Sequence, residues 1–299
     1  MSQANSYEFR RPRMLRLIPV FVLLCTSVLW GASWLPLKAL HQQGADGLAL
    51  IACAYGVLAI IALPWVWRAR ASMRGHWHWL LAIVLFGGAA NVSFSYAIIY
   101  GDVVRVMVLF YLLPVWGVLG GRFILKEPTA WWRWCGVAMA LTGAFIILGG
   151  PNILARPIHY LDFIAIGSGI FFAASNLIFR GVQQVSLPPK LFALFLGSSL
   201  LAHLLLPSGQ LWTGDQFPLG WVLLYATTWL LLANWGSLWA ITQMPAGRSA
   251  IILIMELITA VATQVAFTEQ TLQGYVWLGG SLIMGAALLE IIAAQRSNT

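Results

Sequence analysis

The 299-residue chain is 60% hydrophobic and 9% charged, carries 16 tryptophans and has a mean hydropathy of +0.82. Soluble domains carry charge on about a quarter of their residues, so this composition excludes a water-soluble globule and indicates a multi-pass membrane protein. The net charge of +8 invites a nucleic-acid reading, but no polar stretch is long enough to fold as a soluble domain, and no nucleic-acid partner is expected.

The apolar residues come in blocks of about 18–25, the length a helix needs to cross hydrocarbon. A tail at 1–16 carries Arg10, Arg11, Arg13 and Arg16 ahead of an apolar run to about Leu37. No small-residue cleavage signal interrupts that run, so an uncleaved first span is expected. In chain order the pattern predicts ten spans, at 17–37, 47–67, 77–99, 103–123, 131–149, 161–181, 190–207, 219–241, 246–267 and 272–293, followed by a tail at 294–299. The breaks between them, such as HQQGADG, RARASMRGH and GPNILARPIH, are short and rich in turn residues. With the N-terminus cytoplasmic, 14 of the 17 Lys and Arg residues fall inside and only Lys38, Arg105 and Arg156 outside, which is the positive-inside distribution. Trp65, Trp67, Trp77, Trp79, Trp131, Trp132, Trp134, Trp212 and Trp221 lie near span ends and read as interfacial anchors.

The two halves share a register. Asn91, Ala97 and Arg105 match Asn234, Ala240 and Arg248 at a spacing of 143, and after a one-residue slip Glu127 and Gly143 match Glu269 and Gly285 at 142. Five matches in register suggest an internal duplication, 17–150 against 151–293. Each half has five spans, an odd number, so the second enters the membrane with opposite polarity and the duplication becomes an inverted repeat.

Glu256 lies about ten residues into the ninth span, deeper than any other acid. An ionised carboxylate near the midplane is costly, so it must face the bundle interior, pair with a cation or stay protonated. It is a candidate for binding an amine-bearing solute or a proton, and a neutral acid tying two helices together is the plainer alternative. Asn91 with Ser95, Asn176 with Ser175, and Asn234 place amides and hydroxyls inside spans, either as interhelical glue or around a shared central site. Tyr111 adds a hydroxyl, and Pro114 predicts a local break in the fourth span. Trp30 with Trp34, and Trp235 with Trp239, form i,i+4 pairs that either pack between helices or wall a cavity. Gly117 and Gly121 form a GxxxG for close packing. Gly149–Gly150–Pro151 reads as a helix stop and no phosphate loop. Cys25, Cys53 and Cys135 lie within spans without ligand spacing, and no metal, cofactor or catalytic constellation is expected.

The run LFYLLPVWGVLGGRFILKEPTAWWRWCGVAMALTGAFIIL, with its proline, Lys-Glu elbow and trailing glycines, resembles the EamA family of the drug/metabolite transporter superfamily. Its second copy, IILIMELITAVATQVAFTEQTLQGYVWLGGSLIMGAALL, keeps Glu269 but has Glu256 where the first has Pro114. The resemblance implies an all-α membrane protein of ten helices in two inverted five-helix EamA-type repeats. It also implies a bacterial inner-membrane location and movement, as export in the family's usual sense, of a small metabolite such as an amino acid; bacterial aromatic amino acid exporters are similar. The expected partners are that metabolite, membrane lipids and protons, with the chain a monomer. A structural or sensory membrane subunit, or an enzyme acting on lipid-linked substrates, are the competing classes.

Overall fold

The computed structural model describes residues 13–44, 47–100, 103–127, 129–147, 149–153, 157–206, 218–268 and 274–296, and every regular element among them is helical. Five stretches are long and apolar enough to cross a membrane as they stand: Leu17–His41, Gly47–Arg68, Trp77–Ile98, Tyr160–Gly181 and Leu187–Leu205. The first joins α1 (Arg13–Gly31) to α2 (Trp34–Gln42) through a turn; the others lie in α3 (Gly47–Arg68), α4 (Trp77–Tyr100), α8 (Tyr160–Gly181) and α9 (Leu187–Leu205). The fourth, fifth, eighth and ninth predicted spans are shorter or interrupted. The fourth is split into α5 (Val103–Phe110) and α6 (Leu113–Phe123), and the fifth is α7 (Trp131–Ile147). The eighth runs through α10 (Leu219–Leu224), a π-helical turn at Tyr225–Leu230 and α11 (Leu231–Gln243). The ninth is split into α12 (Ala246–Leu253) and α13 (Met255–Thr268), and α14 (Gly274–Arg296) follows. An eight-residue helix covers about 12 Å, less than half of the hydrocarbon core, so α5 and α12 traverse it only together with α6 and α13.

Local chemistry sets the ends. His159 and Asp162 form a capping box at the start of α8, in which the His159 N–H donates to the Asp162 carboxylate at 2.8 Å. Asp162 is thereby committed to a helix end. Prolines in the first turn of α9 suit a position whose N–H has no intrahelical partner. Gly149 and Gly150 stop α7 with φ of 99° and 59°, a conformation that side chains disfavour.

The packing has a two-sided pattern. Helix α8 lies along α4 and along both α5 and α6, while α1 lies along α11, α12 and α13. The two groups meet where α6 packs on α12 and α8 on α11; α9 packs along α3, and α7 along α14. If the predicted spans are exchanged five for five, the first group becomes the second and the α3–α9 and α7–α14 pairs map on to themselves. Small residues make the close approaches. A methyl on Gly143 would lie 2.5 Å from the Gly279 carbonyl oxygen, and one on Gly279 2.6 Å from that of Gly143. The predicted GxxxG packs as expected: a methyl on Gly117 would meet Ala250 at 2.5 Å, and one on Gly121 would meet Ala246 at 3.4 Å.

Candidate functional site

The two interrupted spans define the centre. After α5 the chain turns at Tyr111 and Leu112, where the Leu112 carbonyl accepts the Val115 N–H at 2.9 Å. After α12 it turns at Ile254, whose carbonyl accepts the Leu257 N–H at 3.0 Å. Leu112 and Ile254 are 142 residues apart, the register of Glu127 and Glu269. The sequence anticipates the first break through Pro114, which occupies the first turn of α6. It contains no proline or glycine at the second. Glu256, the counterpart of Pro114, stands in the first turn of α13, where an acidic side chain complements exposed N–H groups. Proline and glutamate are thus alternative residues for starting a helix.

The Tyr111 phenol and the Glu256 carboxyl come within interaction range of one another across these breaks. Tyr111 is buried in an apolar cluster with Phe110, Ile254 and Leu257, whereas Glu256 keeps part of its surface accessible. Each break is approached by a glycine of the helix lying along it. A methyl on Gly169 of α8 would lie 2.9 Å from the Phe110 carbonyl oxygen, and one on Gly31 of α1 would overlap the Glu256 carbonyl and meet the Thr259 Cβ at 2.6 Å. Phe110 stacks with Phe94 at 4.6 Å and Phe172 at 5.6 Å between ring centroids.

The other predicted residues fall into separate places. Asn91 donates to the Ser198 hydroxyl at 2.8 Å, joining α4 to α9. Asn234 donates to the Leu230 carbonyl at 2.9 Å, at the end of the π-helical turn, and lies within interaction range of the Tyr55 hydroxyl. Asn91 and Asn234, and Tyr55 and Ser198, are both 143 residues apart. The match escapes sequence reading because tyrosine and serine share only a hydroxyl. Asn176 is buried on α8 and Ser95 half-buried on α4. Trp34 donates its indole N–H to Thr263 at 3.0 Å, so this ring ties α2 to α13. Trp30 and Trp239 are half-buried against the main apolar cluster, and Trp235 is 41% exposed, so the second tryptophan pair does not share one environment. Trp116 was not among the predicted residues. It is half-buried two residues past Pro114, and its N–H is buried without a hydrogen-bond partner among the described atoms. The predicted Glu269 and Trp212 lie outside the described residues.

A double-mutant cycle on Asn91→Ala and Ser198→Ala should give a coupling of about 0.6 kcal/mol, the average for interhelical hydrogen bonds in membranes. Thermal unfolding in detergent measures it; additive effects would deny that the bond holds α4 to α9.

Multiple membrane-crossing helices, with polar side chains meeting at broken helices in their interior, define an integral membrane protein. Comparison with known proteins agrees. Residues 17–149 match the EamA-like transporter family, a family of transporters, which weighs against an enzyme. A riboflavin transporter of Rhizobium johnstonii (strain DSM 114642 / LMG 32736 / 3841) is 26% identical over 247 residues, 78% of this chain and 77% of that protein. A protein of known crystal structure has a TM-score of 0.71 at 16% identity, over 93% of this chain and 98% of that one; this is a likeness of fold. Among the described residues no group of three or more His, Cys, Asp or Glu is placed to hold a metal ion.

Proposed function

We propose that this protein is a secondary transporter that moves a small organic solute across the bacterial inner membrane by alternating access. On this reading it consists of two inverted five-helix repeats, 17–150 and 151–293, with short cytoplasmic tails at 1–16 and 294–299. The observation that carries the proposal is the meeting of Tyr111 and Glu256 across register-matched breaks in two packed spans. Broken helices near the midplane are where transporters of inverted-repeat design hold solutes, and irregular backbone there is tolerated only when protein or a cavity covers it. The packing that survives exchange of the halves and the matched pairs Asn91–Ser198 and Asn234–Tyr55 support the repeat.

Glu256, which would also carry a coupling proton, Tyr111 and the unpartnered Trp116 N–H would supply polar contacts to the solute, with Asn176 on α8 and Ser95 on α4 as further candidates. Trp30, Trp34 and Trp239 would supply aromatic surface, and Pro114 the break itself. Asn91 and Asn234 would hold the flanking helices in place. One acid among aromatic rings suits a neutral or amine-bearing aromatic solute. The riboflavin carried by the relative is neutral and aromatic, and aromatic amino acids carry an amine, so both belong in the test. Counterflow into proteoliposomes of labelled riboflavin, tryptophan, tyrosine and phenylalanine should show one class exchanged above protein-free liposomes. Absence of exchange for the whole panel, by protein that is folded and correctly inserted, would count against this solute class.

A further inference from the structure

The elbow after α6 reaches across the bundle. Lys126 adopts a left-handed φ of 55°, and the turn brings the Glu127 N–H back to the Gly121 carbonyl at 2.9 Å. The Glu127 side chain then pairs with Arg180, at the end of α8, with Oε1 3.2 Å from Nε. Both residues belong to the group formed by α4, α5, α6 and α8. Their free ends point to the other group, at the short connection between α11 and α12. Glu127 Oε2 accepts the Ala246 N–H at 2.9 Å, and Arg180 Nη1 donates to the Thr242 carbonyl at 3.0 Å. Gln183 donates to the same carbonyl at 3.1 Å.

The signs are matched. Ala246 is the first residue of α12, whose N-terminal N–H groups carry positive partial charge, and the Thr242 carbonyl lies at the C-terminal, negative end of α11. A carboxylate meets the one and a guanidinium the other. The ion pair therefore grips two opposed helix ends at once, and each charge stays satisfied on both sides. Ser72 and Ser186, in loops on the same face, approach at 3.1 Å.

We infer that Glu127 and Arg180 form a clasp on the Thr242–Ala246 connection that holds the bundle shut at the face assigned to the cytoplasm, and that its release lets the α1, α11, α12 and α13 group swing away from its counterpart. This rests on the alternating-access reading above. The clasp is built across the two groups, so it must part if they separate at that end; an ion pair serving only the elbow would not need the Ala246 and Thr242 contacts.

Thiol labelling tests it without a known solute. In protein lacking Cys25, Cys53 and Cys135, Ser249→Cys reports on α12 one turn above the clasp, where the serine is buried, and Ser33→Cys reports on the junction between α1 and α2. Losing one charge-assisted hydrogen bond shifts the closed-to-open ratio by about tenfold or more. Glu127→Gln and Arg180→Gln should each raise maleimide labelling at Ser249→Cys by about that factor, without a rise at Ser33→Cys. The swapped pair Glu127→Arg with Arg180→Glu keeps an ion pair but presents like charge to both helix ends, and it should label as fast as the single variants. Restored protection in the swapped pair, unchanged labelling at Ser249→Cys, or a rise at both reporters from general loosening would overturn the clasp. A rise at Ser249→Cys with no fall at Ser33→Cys leaves the clasp standing while counting against alternation.

Discussion

A Gly197→Leu substitution is expected to be the most damaging single change to folding, at a cost of about 3 kcal/mol, the upper end of the usual range for overpacking. Gly197 lies where α9 crosses α4. A methyl there would overlap the Val84 carbonyl and stand 2.8 Å from the Val84 Cα, and one on Gly88 would lie 2.5 Å from the Gly197 carbonyl carbon. These are backbone contacts, so no side-chain rotation relieves them. Interhelical association in lipid rests on such close packing, because the hydrophobic effect does not drive one apolar helix on to another. Gly280→Leu is the control, since nothing lies within 4 Å of a methyl built there. Thermal unfolding with size-exclusion chromatography in detergent reads the difference. Equal stability of the two variants would mean that the α4–α9 crossing does not depend on a bare glycine.

The largest loss of transport is expected for Glu256→Ala. The substitution removes the carboxyl at the second break and leaves the buried Tyr111 without its polar neighbour. Leaving a buried polar group unsatisfied costs about 1–3 kcal/mol, which corresponds to a fall of about 5- to 150-fold in flux per folded protein. Normalising to folded protein separates two roles. If Glu256 only ties helices together, stability falls and flux per folded molecule is preserved. Tyr111→Phe keeps the ring and removes only the hydroxyl, and should lower flux less than Glu256→Ala does.

Much of this arrangement is legible in the sequence. Composition and block length point to the spanning helices, Gly149 and Gly150 to the stop after α7, and Pro114 to the break between α5 and α6. The break at Ile254 carries no proline or glycine and shows only through its register with Leu112. Glu256 stands out by depth, but its place in the first turn of α13 depends on that hidden break, and its partner Tyr111 is distant in sequence. The fourth and ninth spans look continuous by hydropathy because a broken helix keeps its apolar residues. Asn91 and Asn234 are visible as a pair, whereas Ser198 and Tyr55 share only position. Glu127 is recognisable as an elbow residue, but its bonds lie 53 and 119 residues away, beyond any local pattern. Trp235 and Trp239 are four apart on one helix and differ in exposure because 100° per residue leaves them about 40° apart around the axis.

Solute flux into proteoliposomes with and without an imposed pH gradient, for wild type and Glu256→Gln, tests whether Glu256 couples solute movement to protons. Riboflavin, or another member of the panel that the wild type carries, serves as the solute. Wild-type flux should respond to the gradient, and Glu256→Gln should still exchange solute but lose that response. An unchanged response in Glu256→Gln would contradict that coupling.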